Sequence, residues 1–227
     1  LVISKATPVI TAPTATGITY GQELSASTLS GGTASTEGKF AFTTPSSSPN
    51  AGTSDQEVTF TPDDAANYNT ASTSVSVTVA KANATITWPS ANPITYGQEL
   101  GDSGFLNGSS TPVGSFAWVE PNVKPAVGTG THQVVFTTVD GNYLSTETNS
   151  ISLVVNPATA GVSIDELSLS QTYDGTAKSV TVQTLPAGLS NSVTYNGSDV
   201  VPTAAGQYTV VATVTDGNYQ GSTTNTL

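Results

Sequence analysis

The chain has 227 residues and a formal net charge of -11 at pH 7, with five basic residues, sixteen carboxylates, no cysteine and no methionine. The acidic charge argues against a nucleic-acid partner, because phosphate binding needs a positively charged surface. Without cysteine there are neither disulfides nor thiolate metal sites. No stretch of the sequence approaches 18 apolar residues, so no membrane span is predicted.

One heptapeptide occurs twice and indicates an internal repeat. Ile18–Leu24 and Ile94–Leu100 both read Ile-Thr-Tyr-Gly-Gln-Glu-Leu, 76 residues apart (94 minus 18), and Thr172–Gly175 is a more divergent third copy. A fixed period predicts a tandem array in which each repeat is one module. We predict three modules, preceded by the last strand of an earlier repeat; their bounds are 1–4 for that strand, 5–80 for module one, 81–156 for module two and 157–227 for module three, whose last strand is truncated.

Each predicted module ends with two strands in which apolar and polar residues alternate. This alternation is typical of a strand with one buried face. The predicted strand pairs are Val58–Thr61 with Val75–Val79, Val134–Thr137 with Ile151–Val155, and Tyr208–Val214 with a strand cut after Leu227.

An Asp- and Asn-rich link that ends in Asn-Tyr joins the two strands of each pair. Asp-Gly and Asn accept the left-handed backbone of a tight turn, so each link is predicted to be a hairpin connection. We expect its tyrosine to fold back and bury its ring, as in the tyrosine corner of sandwich domains. Six tyrosines therefore mark the repeat: Tyr20, Tyr96 and Tyr173 near the start of each module, and Tyr68, Tyr143 and Tyr219 in the links.

The rest of the pattern is also that of β structure. Asn196-Gly197 between Ser192–Tyr195 and Ser198–Val201 predicts a two-residue hairpin, and no segment shows a period of 3.6 residues. The predicted fold class is all-β, with small sandwich modules. Because the joints at 80–82 and 155–158 are too short for free tumbling, we expect an elongated, semi-rigid array.

Together these motifs resemble those of the MBG domain. Ile18–Leu24, Gly52, the Val-Thr-Phe-Thr-Pro strand and the Asn-Tyr link resemble the YGX type, and Thr172–Lys178 with Ala205–Tyr208 and Asp216–Tyr219 resembles the related YDG type. The resemblance implies a small β fold, immunoglobulin-like or β-grasp-like, in repeat arrays of secreted bacterial surface proteins often described as adhesins. It implies no catalytic residue. A β-grasp needs a helix across its sheet, and none is predicted here, so the sandwich is favoured.

Candidate catalytic groups are few. His132 is the single imidazole, and no second histidine or cysteine can complete a catalytic or zinc set with it. Asp63 and Asp64, and Asp165 and Glu166, are sequence neighbours, whereas acid–base chemistry needs carboxylates that converge from different segments. The sequence therefore predicts no enzyme.

Calcium is the one candidate cofactor. Asp63, Asp64 and Asn67 offer hard oxygen ligands within one loop. The spacing falls short of a dedicated calcium loop, and turn formation explains the same residues. No other cofactor is predicted.

The aromatic residues allow a structural and a binding interpretation. Six recur at the module period along strands and are predicted to be core: Phe40, Phe42, Phe60, Phe116, Trp118 and Phe136. Trp88 lacks an aromatic counterpart in module one and lies near the first joint, so it is predicted either to pack that joint or to form an exposed ligand contact.

We predict that the array is an extracellular stalk or spacer on a bacterial surface, whose partners are neighbouring repeats. One alternative is a module that binds a glycan, a mucin or another host ligand. Another is a filament subunit, in which an open edge of module three accepts residues 1–3 of a second molecule.

Overall fold

The computed structural model describes residues 2–227. Leu1 lies outside the described residues, so the predicted strand over residues 1–4 is described only from Val2 onward. Between residues 2 and 227 there is no α-helix, and the predicted all-β class is confirmed. The short 3-10 helices are Leu24–Ala26, Leu100–Asp102 and Glu166–Ser168. No helix in this part of the chain is long and apolar enough to cross a bilayer.

The strands are numbered in chain order. They are β1 (Ile10–Thr11), β2 (Thr14–Ala15), β3 (Ile18–Thr19), β4 (Leu29–Ser30), β5 (Thr33–Ala34), β6 (Gly38–Phe42), β7 (Gly52–Pro62), β8 (Ala71–Ala80), β9 (Thr85–Thr87), β10 (Ser90–Ala91), β11 (Ile94–Thr95), β12 (Phe105–Leu106), β13 (Ser109–Thr111), β14 (Ser115–Trp118), β15 (Gly128–Thr137), β16 (Thr146–Asn156), β17 (Ala158–Thr159), β18 (Gly161–Ile164), β19 (Val182–Leu185), β20 (Asn191–Tyr195), β21 (Thr209–Val214), β22 (Tyr219–Gln220) and β23 (Ser222–Thr226).

The chain forms two compact units. The first comprises the chain up to Thr87, Ser109–Ser115 and Phe136–Glu147, and the second comprises Trp88–Gly108, Phe116–Val135 and Thr148–Leu227. These units are described separately, and the division into modules of 76 residues stays a prediction.

The first unit contains a β-sandwich built around a long hairpin. Strands β7 and β8 are antiparallel, with Gly52 opposite Val79, and β3 adds to β8 in parallel, with Ile18 opposite Val79. Sheet order is β3–β8–β7–β6. Alternate residues of β8 are buried, and Ala15 and Leu29 from the short pair β2–β4 pack against the same core. This second layer covers the face on which a β-grasp fold carries its helix, so the sandwich prediction is confirmed.

The second unit repeats this arrangement in its first part. Sheet order is β11–β16–β15–β14, and Ile94 pairs in parallel with Val155, one period after Ile18 and Val79. Leu100 and Trp118 are buried in its core, and Phe105 packs against that core.

The last part of the second unit has the sheet β20–β21–β23 and the pairs β18–β19 and β17–β22. Tyr195 lies opposite Val210 in the same way that Phe42 lies opposite Val58. Its buried hydroxyl accepts a hydrogen bond from the Val180 N–H at 3.0 Å. A tyrosine therefore fills the core position that phenylalanine fills in the first repeat, with its polar atom satisfied.

The predicted aromatic core is confirmed. Phe42, Phe60, Trp118 and Phe136 are buried, whereas Phe40 and Phe116 are half-buried and pack against the cores.

One predicted hairpin needs correction. Asn196 and Gly197 both have positive φ (48° and 82°) and form the expected turn, as the mutual hydrogen bonds of Tyr195 and Ser198 show. The predicted second arm up to Val201 is not a strand, because β20 pairs along its length with β21 instead.

The predicted strand at the beginning of the chain has no strand partner from Val2 to Ser4, and Val2 and Ile3 are exposed.

Candidate functional site

One tyrosine pair links two sequence repeats inside the first unit. The rings of Tyr20 and Tyr143 stand edge to face, with centroids 5.4 Å apart and an interplanar angle of 71°. Tyr20 follows β3 in the first repeat, and Tyr143 ends the Asn-Tyr link of the second. Aromatic pairs prefer this arrangement, and such a pair contributes about 0.5–1.5 kcal/mol beyond its area burial. The marker tyrosines of successive repeats are therefore contact partners.

The backbone fixes Tyr20 at the end of the sheet. Its N–H donates to the Ala80 carbonyl at 2.9 Å. Gly21, with φ of +90°, makes the turn that follows, and the Gln22 side-chain oxygen accepts the Thr19 N–H at 2.7 Å. Glycine adopts positive φ without steric cost, so the chain can turn directly after Tyr20. The Tyr-Gly sequence therefore leaves the tyrosine ring at the end of the sheet, at the joint.

Tyr143 is held by the first residues of its own repeat. The Ala82 N–H donates to the Asn142 carbonyl at 3.0 Å, and the Leu144 N–H donates to the Ala82 carbonyl at 2.9 Å. The Asp140 carboxylate accepts the Asn142 N–H at 2.9 Å, which shapes the turn. The Asn-Tyr link is therefore hydrogen-bonded to Ala82, at the beginning of the second repeat.

A side-chain bond reinforces this joint. The Asn142 side-chain oxygen accepts the N–H of Ala51, a residue 91 positions earlier, at 2.9 Å in a part-buried setting. A net contribution of about 0.5–1.5 kcal/mol is usual for such a bond. Sequence reasoning missed it and assigned Asn142 to turn formation alone. The common period of the Tyr-Gly and Asn-Tyr motifs was the available signal.

The second unit has a joint of the same kind. Tyr96 and Tyr219 have centroids 5.5 Å apart and an interplanar angle of 78°. The Tyr96 N–H donates to the Asn156 carbonyl at 2.9 Å, and the Ala158 N–H donates to the Asn218 carbonyl at 2.9 Å. Each contact lies one period after its counterpart in the first unit. The tyrosine joint is thus a recurring element.

The other two marker tyrosines, Tyr68 and Tyr173, lie outside these two ring pairs. Tyr68 is half-buried, and its link pairs in parallel with Ala6, as Tyr143 does with Ala82. Tyr173 is 65 % exposed.

The calcium candidates lie in the first Asn-Tyr link. The Asp64 carboxylate accepts the Asn67 side-chain amide at 2.8 Å and the N–H groups of Ala66 and Asn67 at 3.2 Å. The hydrogen bond from the Asn67 side chain is the main cause that lowers the pKa of Asp64. Asp63 is exposed. Among the described residues, no three histidine, cysteine or carboxylate side chains converge on a metal position. Calcium binding stays a prediction.

Two of the candidate catalytic residues, His132 and Asp165, make contacts that contribute to the fold. His132 lies half-buried on β15, 6.3 Å from the Trp118 ring centroid, and lines a cavity of about 190 Å³ together with Glu120. Asp165 caps the 3-10 helix Glu166–Ser168 by accepting the Leu167 N–H at 3.0 Å. No arrangement for proton transfer between two such groups emerges within residues 2–227.

Trp88 packs within its own repeat. It is half-buried against the second-repeat core, with its ring centroid 5.8 Å from that of Phe116 at an angle of 61°. The joint contacts described above are the two tyrosine pairs and the hydrogen bond between Asn142 and Ala51. Contact between Trp88 and a ligand stays a prediction.

The family comparison concerns the third repeat. Residues 160–227 match the family model described as the MBG domain. The match supports the MBG resemblance for this segment, which contains Tyr173 and Tyr219. No curated protein matches the chain by sequence.

Two solved structures are among those that match the chain in the structural comparison. The crystal structure of Drosophila N-cadherin EC1-4 is 11 % identical with a TM-score of 0.32, covering 96 % of this chain and 74 % of that one. The titin domains I67–I69, in an E-to-A mutated variant, are 11 % identical with a TM-score of 0.34, covering 96 % of both chains.

Proposed function

We propose that the chain is a structural spacer, a run of three MBG-type repeats that form an elongated stalk segment of a secreted bacterial surface protein. Modules one and two are of the YGX type and module three is of the YDG type. The observation that supports this function best is the tyrosine joint, which recurs one period apart between successive repeats. A spacer must transmit orientation from one repeat to the next, and a recurring joint does so.

Two contacts accompany the covalent connection at the first joint. The chain passes through Lys81, the Tyr20 ring packs on the Tyr143 ring, and the Asn142 side chain accepts a hydrogen bond from Ala51. Because these contacts are made by separate segments, rotation about the short connection breaks at least one of them. Restricted rotation is what distinguishes a semi-rigid stalk from flexibly linked beads.

The surface chemistry suits a non-enzymatic spacer. The net charge of -11 keeps neighbouring stalks apart and soluble. His132 lies beside the Trp118 ring and Asp165 caps a 3-10 helix, and we propose that the chain has no catalytic activity.

Distance measurements between paired spin labels test the joints. The chain has no cysteine, so cysteines introduced at exposed Val9 and Val113 label the first and second repeats selectively. We expect a narrow distance distribution in the otherwise unaltered chain. Substituting Tyr20→Ala together with Asn142→Ala should broaden it.

A matched control and a second joint sharpen the measurement. Val139→Ala, at a fully exposed position in the same link, should leave the distribution narrow. Labels at Leu106 and Val200, with and without Tyr96→Ala, test the second joint in the same way. A distribution that is already broad in the unaltered chain contradicts the spacer function.

A further inference from the structure

In the first repeat, the segment that enters the repeat is paired in parallel with the segment that leaves it. Strand β8 covers Ala71–Ala80, and β3 pairs with its end in parallel, with Ile18 opposite Val79. Just before β8 begins, Ala6 pairs in parallel with Tyr68. The entering and leaving segments are therefore joined at two places, and at both they run in the same direction.

Short backbone hydrogen bonds make both pairings. In the entry pairing, defined as Ala6 with the Asn-Tyr link, the Ala6 N–H donates to the Asn67 carbonyl at 2.9 Å. The Ala6 carbonyl in turn accepts the Asn69 N–H at 2.8 Å. In the exit pairing, defined as β3 and Tyr20 with the end of β8, the Tyr20 N–H donates to the Ala80 carbonyl at 2.9 Å.

The parallel direction decides how these bonds respond to a pull along the chain. A pull toward the amino end acts on the segment that contains Ala6 and β3, and a pull toward the carboxyl end acts on the end of β8. Because the two segments run in parallel, the opposed forces lie along the strands and shear several bonds at once. Antiparallel end strands would instead be peeled apart from one side, one bond after another.

The exit pairing also lies over the core of the repeat. Ile18 and Val79 are 6 % and 3 % exposed and belong to the same buried cluster. Sliding β3 along β8 would therefore pull Ile18 out of the core as well as break backbone bonds, and the loss of buried apolar surface adds to the resistance.

Only one residue separates the exit pairing of the first repeat from the entry pairing of the second. Ala80 accepts the bond from Tyr20, and the Ala82 N–H donates to the Asn142 carbonyl at 3.0 Å. Lys81 alone lies between them. A pull that passes from the first repeat to the second therefore meets almost no free chain that could extend.

The second unit contains the same interval. The Tyr96 N–H donates to the Asn156 carbonyl, and the Ala158 N–H donates to the Asn218 carbonyl, both at 2.9 Å. Pro157 is the single residue between these two pairings. The one-residue interval between parallel pairings thus recurs at both joints.

We propose that the parallel pairings carry tension along the chain, so that the repeats resist extension as well as set a distance. The pull passes from the entering segment to the leaving strand through bonds loaded in shear, and one residue connects the last bond of a repeat with the first bond of the next. The proposal rests on the proposed function, because a spacer is loaded through the two ends of its chain.

Single-molecule pulling in two directions tests the proposal on the first repeat. The chain has no cysteine, so cysteines introduced at exposed positions attach the handles selectively. Handles at Ser4→Cys and Lys81→Cys pull the repeat along its parallel pairings. Handles at Asn50→Cys and Lys81→Cys peel β7 from β8 at the end of their antiparallel ladder, where Gly52 lies opposite Val79.

We expect the first pair of handles to require a several-fold higher unfolding force than the second pair at the same pulling speed. The two proteins share the same fold, and equal melting temperatures would show that stability does not contribute to the difference. Equal unfolding forces, or a lower force along the strands, would overturn the proposal.

A proline substitution tests one pairing within the whole chain, held by handles at its two ends. Ala82→Pro removes the N–H that donates to Asn142, so one unfolding event should move to a lower force, since forced unfolding follows the unfolding rate. Lys81→Pro is the matched control, because Pro157 occupies the corresponding position one period later (157 minus 81). Folded Ala82→Pro with the unfolding forces of the unaltered chain would contradict the proposal.

These measurements are independent of the test of the spacer function. The spin-label distances are recorded without load and report whether neighbouring repeats keep a fixed orientation. Narrow distances together with equal unfolding forces in the two pulling directions would leave a semi-rigid spacer that is not built to carry tension.

Discussion

Single glycines decide how closely the strands of the sandwich approach. A side chain at Gly38 would place its first carbon 2.6 Å from the Phe60 ring and against the Thr61 carbonyl, and Gly114 is confined in the same way by Phe136, one period later. In the first two repeats, the buried phenylalanine therefore lies directly over a position where only glycine fits.

We expect Gly38→Ala to destabilise the first unit by about 1–3 kcal/mol, because a core that is already filled must shift to accept the methyl group. Urea unfolding measures the change. Gly141→Ala is the matched control, since its new carbon would meet no atom within 4 Å. Equal effects from the two substitutions would contradict the steric argument.

A second effect at the scale of single residues is electrostatic and concerns Asp174. Asp174 accepts hydrogen bonds from Lys178 at 2.6 Å and from the Thr176 hydroxyl at 2.6 Å. The bond from Lys178 is the main cause that lowers the pKa of Asp174 below its ordinary value, followed by the bonds from Thr176. The turn that follows Tyr173 is thus held by an ionised carboxylate.

The pH dependence follows from the direction of that shift. A carboxyl group whose pKa is lower in the folded state stabilises the fold above its unfolded pKa, near 4, and this stabilisation disappears as the pH falls further. We therefore expect melting temperature to fall on acidification below about pH 4, and to fall less steeply in Asp174→Asn. Identical pH profiles of the two proteins would show that this ion pair does not stabilise the repeat.

At the scale of elements, each joint depends on two turns that come from different repeats. The Tyr-Gly turn after β3 fixes Tyr20, and the pairing of Ala82 with the Asn-Tyr link fixes Tyr143. Neither turn by itself forms the contact between the two tyrosine rings. The contact exists because β8 ends at Ala80, directly before Ala82, which pairs with the link in an isolated bridge.

A double-mutant cycle measures this coupling. Tyr20→Ala and Tyr143→Ala should each destabilise the first unit, and their effects should fall short of additivity by about 0.5–1.5 kcal/mol, because either change alone removes the ring contact. Chemical unfolding of the four proteins gives the value. A control cycle of Tyr20→Ala with Val139→Ala, whose side chain is fully exposed, should be additive.

At the scale of the whole molecule, Trp88 distinguishes a spacer, in which it only stabilises the fold, from a glycan-binding module, in which it also contacts the ligand. Its ring packs on Phe116 in the second-repeat core. Trp88→Ala should therefore destabilise the protein by about 2 kcal/mol or more, and Trp88→Phe should recover much of this loss.

Binding of the chain to a broad glycan and mucin panel, with calcium and with chelator, distinguishes the two functions. A spacer should bind none of these glycans under either condition. Specific glycan binding that is lost in folded Trp88→Phe would assign a ligand site to this residue. Glycan binding that requires calcium would indicate a calcium site at Asp63, Asp64 and Asn67.

The sequence alone determined the all-β class, the long strand pairs and the aromatic core. The physical reason is that these features are local or periodic: alternation fixes which face of a strand is buried, and the period of 76 residues places Phe60 and Phe136 in equivalent environments. The Asn196-Gly197 turn was also predictable, because two consecutive positive φ angles require such residues.

Only the tertiary structure decided which partners the marker tyrosines have. Tyr20 meets Tyr143 across 123 positions (143 minus 20), and Asn142 meets Ala51 across 91. Such contacts depend on how one sandwich follows another, and no local pattern encodes that geometry. The second arm predicted after Gly197 was wrong for the same reason, since the pairing of β20 with β21 is a long-range choice. The repeat therefore shows in the sequence as recurring motifs, while the fold establishes that two of those motifs meet at a joint.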